Sequence, residues 1–203
     1  MRKSLALTTL ALGATLALTA CGGAAGSSPS APTVEPVKAE SATPTPTKDS
    51  SKSSRGNIVK EFGQGANITD TLHGDKEIVN FSINSIAPGT CTEQYAQAPT
   101  NGNIVIVDVS AETKPELADA IMKSFTLSGY DFKYIADNGT TFNGNLASTA
   151  TYSCIPAAET FPSAGMGPGE KITAKVVLDV PAAHGILVLK APGSNTVGWE
   201  YKF

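Results

Sequence analysis

From residue 58 to residue 203, hydrophobic and polar positions alternate repeatedly with a period of two, the repeat of strands that bury one face. In Lys76–Ile86, Val79, Phe81 and Ile83 fall on one side, and Asn80, Ser82 and Asn84 on the other. Asn103–Ala111 sets Val105, Val107 and Val109 together, with Ile104 and Ile106 opposite and Asp108 and Ser110 after them. Both of its faces begin apolar, which predicts a central strand. Lys171–Val180 sets Ile172, Ala174, Val176, Leu178 and Val180 against Lys171, Thr173, Lys175 and Asp179.

Gly185–Lys190 and Val197–Phe203 are predicted as two further strands, divided by the turn-prone Ala-Pro-Gly-Ser-Asn of residues 191–195. Phe125–Ile135 is predicted as a strand whose apolar register shifts near Ser128-Gly129, the mark of a bulge, with Asp137-Asn138-Gly139 as the tight turn that closes it. Thr149–Ile155 completes the set, with Tyr152 and Cys154 on one face. A single helical signal stands at Thr113-Lys114-Pro115-Glu116. Thr113 can cap, Pro115 sits early, Glu116 lies three residues after the cap, and Leu117 and Ile121 would pack the helix onto the sheets. Seven or eight strands with long turns and one short helix predict an all-β sandwich.

The first 57 residues break this pattern twice. Arg2 and Lys3 precede a largely apolar stretch, Leu5–Ala20, of 16 residues. That is shorter than the roughly 20 residues a membrane-spanning helix needs, and it has the layout of a cleavable export signal. The signal ends on Leu18-Thr19-Ala20-Cys21, which resembles the lipobox of bacterial lipoproteins, followed by Gly22-Gly23. The resemblance implies a lipid on the Cys21 thiol, removal of residues 1–20, and attachment to a membrane without a transmembrane helix. Two acyl chains hold stably where one holds only marginally. Residues 21–57 are dominated by Ser, Thr, Pro, Ala and Gly, and Gly22–Asn57 contains no Ile, Leu, Met, Phe, Tyr or Trp. Such a segment cannot bury enough apolar surface to offset the entropy of ordering, so it is expected to be a disordered linker carrying the 58–203 domain.

Composition sharpens the class. Charged residues make up 16% and aromatics 6%, with 19 Gly and 13 Pro, a profile that suits an extracellular all-β domain better than a helical enzyme. Loss of the signal leaves 13 basic and 18 acidic side chains, so no basic stripe for nucleic acid is expected, and attachment to a membrane falls to the lipid. With Cys21 assigned to the lipid, Cys91 and Cys154 are an even pair in an oxidising compartment, and a disulfide between them is expected.

From about Phe62 onward the chain resembles the immunoglobulin-like domains of bacterial lipoproteins without assigned function and, more loosely, mycobacterial secreted immunogenic antigens with an immunoglobulin-like sandwich. The stretches that carry the resemblance are Phe62-Gly63-Gln64, Ile104–Val109, Pro168-Gly169-Glu170-Lys171 leading into Val176–Pro181, and Gly198-Trp199-Glu200-Tyr201. It implies an immunoglobulin-like sandwich in an extracytoplasmic setting and no catalytic residues. Unlike antibody domains, where a buried Trp lies between the paired cysteines, Trp199 follows both. The bridge is then expected to tie a loop to a strand rather than to pin the two sheets.

Candidate chemistry is sparse. His73 and His184 stand in no His-x-x-x-His or His-x-Glu pattern, and no zinc or calcium spacing is present, so no metal and no cofactor are expected. There is no phosphate loop and no Gly-x-Ser-x-Gly elbow, and Glu116 with Asp119 reads as a solvated helix face, so no enzyme activity is expected. Tyr130, Phe132 and Tyr134, and likewise Val197, Trp199, Tyr201 and Phe203, are expected to pack in the core. Exposed Tyr/Trp groups would instead anchor an interface. Tyr95, in a polar loop near Cys91, and Trp199 are the candidate ligand contacts, with the Gly-rich Ser163–Gly169 loop as a further surface. The expected role is a non-enzymatic binding module of the cell envelope, with another envelope protein as partner and wall glycan second. Its alternatives are a small-ligand carrier with a pocket between the sheets, and a structural or prophage-encoded exclusion lipoprotein.

Overall fold

The computed structural model describes residues 51–192 and 197–203. Residues 1–20, Cys21, most of the linker and the centre of the 191–195 turn lie outside the described residues. Among the described residues, eight strands form two four-stranded sheets. One, in the order β1-β8-β7-β5, contains β1 (Ile58–Val59), β8 (Gly198–Lys202), β7 (Ile186–Lys190) and β5 (Phe132–Ile135). The other, in the order β2-β3-β4-β6, contains β2 (Gly65–Asp70), β3 (Lys76–Pro88), β4 (Asn103–Thr113) and β6 (Lys171–Val180). Pairing is antiparallel except between β1 and β8. The chain changes sheet four times, between β1 and β2, β4 and β5, β5 and β6, and β6 and β7. The orders β8-β7-β5 and β3-β4-β6 correspond to the G-F-C and A-B-E strands of an immunoglobulin sandwich.

The inner faces are those the alternation predicts. Val79, Phe81 and Ile83 of β3, Val105, Val107 and Val109 of β4, and Val176, Leu178 and Val180 of β6 meet Leu187 and Leu189 of β7 and Trp199 and Tyr201 of β8 in one cluster. Phe81 and Trp199 cross the layers edge to face, with centroids 4.8 Å apart and planes at 86°, the geometry favoured by the ring quadrupoles. The Tyr201 hydroxyl is buried with no hydrogen-bond partner. An unsatisfied buried donor costs about 1–3 kcal/mol. Tyr201→Phe should therefore leave the domain as stable or about 1 kcal/mol more stable in a denaturant titration; a loss of stability would mean that the hydroxyl is satisfied.

Three predicted elements differ. Phe125–Ile135 is not one strand. Phe125 makes an isolated bridge to Met166, and residues Gly129–Asp131 form a 3-10 turn in which Ser128 and Asp131 cap each other reciprocally. The shift in apolar register at Ser128-Gly129 is that turn, not a bulge. Thr149–Ile155 is not a strand either: Thr149–Tyr152 is a short helix, α1, which leaves Tyr152 68% exposed and Cys154 fully buried. At the predicted helix, Thr113 is the buried last residue of β4, and its hydroxyl donates to the Gly167 carbonyl at 2.5 Å. The turn that follows is a four-residue 3-10 segment, Pro115–Ala118, which buries Leu117 and leaves Ile121 exposed.

The folded region also starts before residue 58. Lys52 bridges Ile58, and Asn57 is buried. Asn57 donates to Glu200 at 3.0 Å, while Arg55 reaches the same carboxylate through two nitrogens, at 2.5 and 3.2 Å. These polar contacts, rather than apolar burial, draw the end of the Ser-rich segment onto β8. Burial pushes the Glu200 carboxyl up, but hydrogen bonds from Arg55, Asn57 and Ser53 outweigh it and hold the group below its ordinary value. A carboxyl lowered by folding stabilises above its unfolded value and loses that contribution as pH falls through the folded one. Acid unfolding of Glu200→Gln should accordingly show a shallower loss of stability below about pH 4.5 than the parent. Parallel curves would remove Glu200 from the acid response.

Candidate functional site

The outer face of the β2-β3-β4-β6 sheet is divided into two territories. On one, Ile104 of β4 and Val177 of β6 are buried under Ala150, Cys154 and Ile155, with Cys91 and Ile106 packed alongside. This second small core explains why both faces of β4 begin apolar. A cap built from α1 and the loop after β3 covers the outer face there. Cys91 and Cys154 are disulfide-bonded, 63 residues apart in sequence, and the bridge holds the loop to the segment following α1. It ties loop to loop on the outside of one sheet, not loop to strand.

The cap is joined to the sheet by a buried carboxylate. Asp179 is fully buried, although the alternation places it among polar outward positions. One oxygen accepts from the Asn101 amide at 3.0 Å; the other accepts from the Thr100 amide and the Ser148 hydroxyl, each at 2.6 Å. Asn101 in turn donates to the carbonyls of Asn145 and Asp179, both at 2.8 Å. Three separate stretches, 100–101, 145–148 and β6, thus converge on one charge.

On this cap stand three exposed tyrosines. Tyr95 is 80% exposed, Tyr152 68% and Tyr130 56%. The Tyr152 hydroxyl donates to that of Tyr130 at 3.2 Å, and the Ser153 hydroxyl to the Tyr95 carbonyl at 3.4 Å. Hydrogen bonds from Tyr152 and Asn145 hold the Tyr130 hydroxyl below its ordinary value, and the same contact raises Tyr152. Tyr130 reaches this place through the 3-10 turn. At Gly129 a Cβ would fall 3.0 Å from the Ala147 Cβ and 3.2 Å from its backbone, so any other residue would have to push the 145–148 segment back by a few tenths of an ångström. Three amphipathic rings on a cross-linked base make a contact surface of low conformational cost.

Of the sequence candidates, Tyr95 lies in this patch. Trp199 does not: it is 7% exposed, packed on Phe81, and it lines a cavity of about 280 Å³ between the sheets with Ile68, Phe125, Leu127 and Leu189. The Ser163–Gly169 loop is anchored by buried Met166 on Phe125. Tyr130 and Tyr152 escaped the sequence reading because alternation assigns them to strand faces. The Ser-x-x-Asp of residues 128–131 was the available signal that the strand is interrupted. His73 pairs with Asp70 and His184 with Asp137, each at 2.7 Å. Among the described residues no group of three or more His, Cys, Asp or Glu is arranged to hold a metal ion, and no helix is long and apolar enough to cross a membrane.

No protein-family model matches the chain, and no curated protein matches it. Among solved structures it is similar to YcdA of Bacillus subtilis subsp. subtilis str. 168, a candidate lipoprotein, at 11% identity and a TM-score of 0.39. The match covers 68% of this chain and 38% of that one.

Proposed function

We propose that this chain is an extracytoplasmic lipoprotein, anchored through Cys21, whose domain is a non-enzymatic binding module that docks another envelope protein on the Tyr95–Tyr130–Tyr152 patch. The observation that carries the docking surface is the set of three exposed rings on a cap fixed by a disulfide and a buried carboxylate. Tyrosine is enriched at interfaces because its ring buries well and its hydroxyl still finds a partner. The anchor rests on the lipobox-like end of the export signal, and the Ser/Thr/Pro-rich stretch after it supplies a tether.

In-cell crosslinking tests this. A defined envelope protein should be captured by the parent and lost on Tyr95→Ala with Tyr152→Ala, two surface changes that leave folding intact. Capture that is unchanged in the double variant would overturn the patch. Cys21→Ala should move the protein out of the membrane fraction or leave uncleaved precursor, and unchanged membrane retention would overturn the anchor. The cavity beside Trp199 favours a second reading, a small-ligand carrier, which a ligand-dependent rise in melting temperature would support.

A further inference from the structure

Three Asn-Gly steps occur in the chain: Asn101-Gly102, Asn138-Gly139 and Asn143-Gly144. At such a step the main-chain nitrogen of the glycine can attack the side-chain amide of the asparagine, because glycine has no Cβ to crowd the ring that forms. The reaction requires that nitrogen and that side chain to be free to meet, and the fold treats the three steps differently. The Asn101 side chain donates to the carbonyls of Asn145 and Asp179, both at 2.8 Å, and is held in place. Asn138 lies in the turn after β5. Its side-chain oxygen accepts from the Thr140 amide at 3.0 Å, while the Gly139 amide donates to the Ala136 carbonyl at 2.8 Å. Electrophile and nucleophile are both engaged there. Asn143 and Gly144 are exposed and lie in no strand or helix. Among the described residues, neither the Asn143 side chain nor the Gly144 amide makes a hydrogen bond.

We propose that Asn143 is a site of spontaneous covalent modification, deamidating to aspartate and isoaspartate while the fold protects the other two Asn-Gly steps. The Gly144 nitrogen forms a bond to Asn143 Cγ, the Cγ–Nδ2 bond breaks, and ammonia leaves with the proton given up by the Gly144 amide. Water then opens the cyclic imide at either carbonyl. Opening at one restores the main chain with an aspartate side chain; opening at the other routes the main chain through Cβ as isoaspartate. Water is the sole co-reactant, and no redox step is involved. Each product places a new carboxylate two residues before Asn145, which fastens the base of the cap. The Asn145 carbonyl accepts from Asn101 at 2.8 Å, and its side chain accepts from the Ala147 amide at 2.9 Å and donates to the Ala147 carbonyl at 3.0 Å. The modification would therefore mark the age of the protein beside the segment that seats the cap. None of this depends on the docking reading of the tyrosine patch.

The test is ageing of the full lipidated chain in detergent at mildly alkaline pH, followed by peptide mapping in a mass spectrometer with fragment spectra that separate positions 138 and 143. Acid at 143 should accumulate about tenfold or more faster than at 138 or 101, since those two must first give up hydrogen bonds. Isoaspartyl methyltransferase should label the same position. A sample aged in denaturant should show the three rates drawn together. Accumulation at 143 no faster than at 138 in the folded chain would overturn the proposal, as would an Asn143 that stays an amide throughout. A preference for 143 that is equally large in denaturant would assign it to local sequence instead of the fold, and would overturn it as well.

Discussion

Removing the Cys91–Cys154 bridge is expected to lower the unfolding free energy of the domain by about 4 kcal/mol, the chain-entropy value for a closed loop of this length. The loop spans 63 residues and includes all of β4 and β5, so reduction frees a large share of the unfolded chain. In the folded state the bridge lies over Ile104 and Val177, and beside it hydrogen bonds join the Tyr95 loop to the segment after α1. Among these, the Thr92 amide donates to the Cys154 carbonyl at 2.7 Å. Guanidinium unfolding of the parent with and without reductant, and of Cys91→Ser with Cys154→Ser, measures the effect. A loss below about 1 kcal/mol would show that the small apolar core holds the cap unaided. The same variants should weaken partner capture by more than their global stability explains, because the loop that presents Tyr95 would be the first part to loosen.

The elements that could be read from the sequence are those whose fate is decided by apolar periodicity. Lys171–Val180 was legible to the residue, and Asn103–Ala111 nearly so, because six or more alternating positions leave one way to bury them. The disulfide was legible from cysteine count and compartment. β2 escaped because Gly-Ala-Asn-Ile-Thr-Asp carries only Ala66 and Ile68 as inward apolar groups; β3 defines it by pairing, a non-local effect. α1 escaped for the opposite reason. Its four residues alternate as a strand would, while in the fold the Ser148 hydroxyl turns to Asp179 and the Thr151 amide and hydroxyl both donate to the Ser148 carbonyl.

The candidate sites are a harder case. Tyr130, Tyr152 and Tyr95 come together only through a 3-10 turn, a short helix and a cross-linked loop, so no window of sequence contains the patch. The polar row across the outer face of the β2-β3-β4-β6 sheet is different in kind. Ser82, Ser110 and Thr173 lie on the strand faces that alternation marks as polar, yet their alignment depends on the register of β3, β4 and β6.

Asp179 gives the second large effect. Asp179→Ala should cost on the order of 3–5 kcal/mol, since hydrogen bonds to a charged acceptor contribute about 1.5–3 kcal/mol each and three donors would lose theirs at once. Rehydration of Thr100 and Asn101 at the surface returns part of that, which places the expectation below the simple total. Asp179→Asn keeps the shape but turns an N–H group toward one set of donors, so it should fall between the alanine variant and the parent. Asp108→Ala is the control. Asp108 belongs to the same outward polar pattern, but it is only half-buried and meets Asn84 from the open side of the sheet, so it should cost less than about 1 kcal/mol. Denaturant unfolding ranks the three, and hydrogen exchange at the Thr100 and Asn101 amides locates the loss. Equal costs for Asp179 and Asp108 would mean that the loops are held without the buried charge. A large cost at Asp179, with protection lost first at residues 100–101, would establish that the tyrosine cap is fastened to the sandwich at one bolt beneath it, independent of the disulfide at its rim.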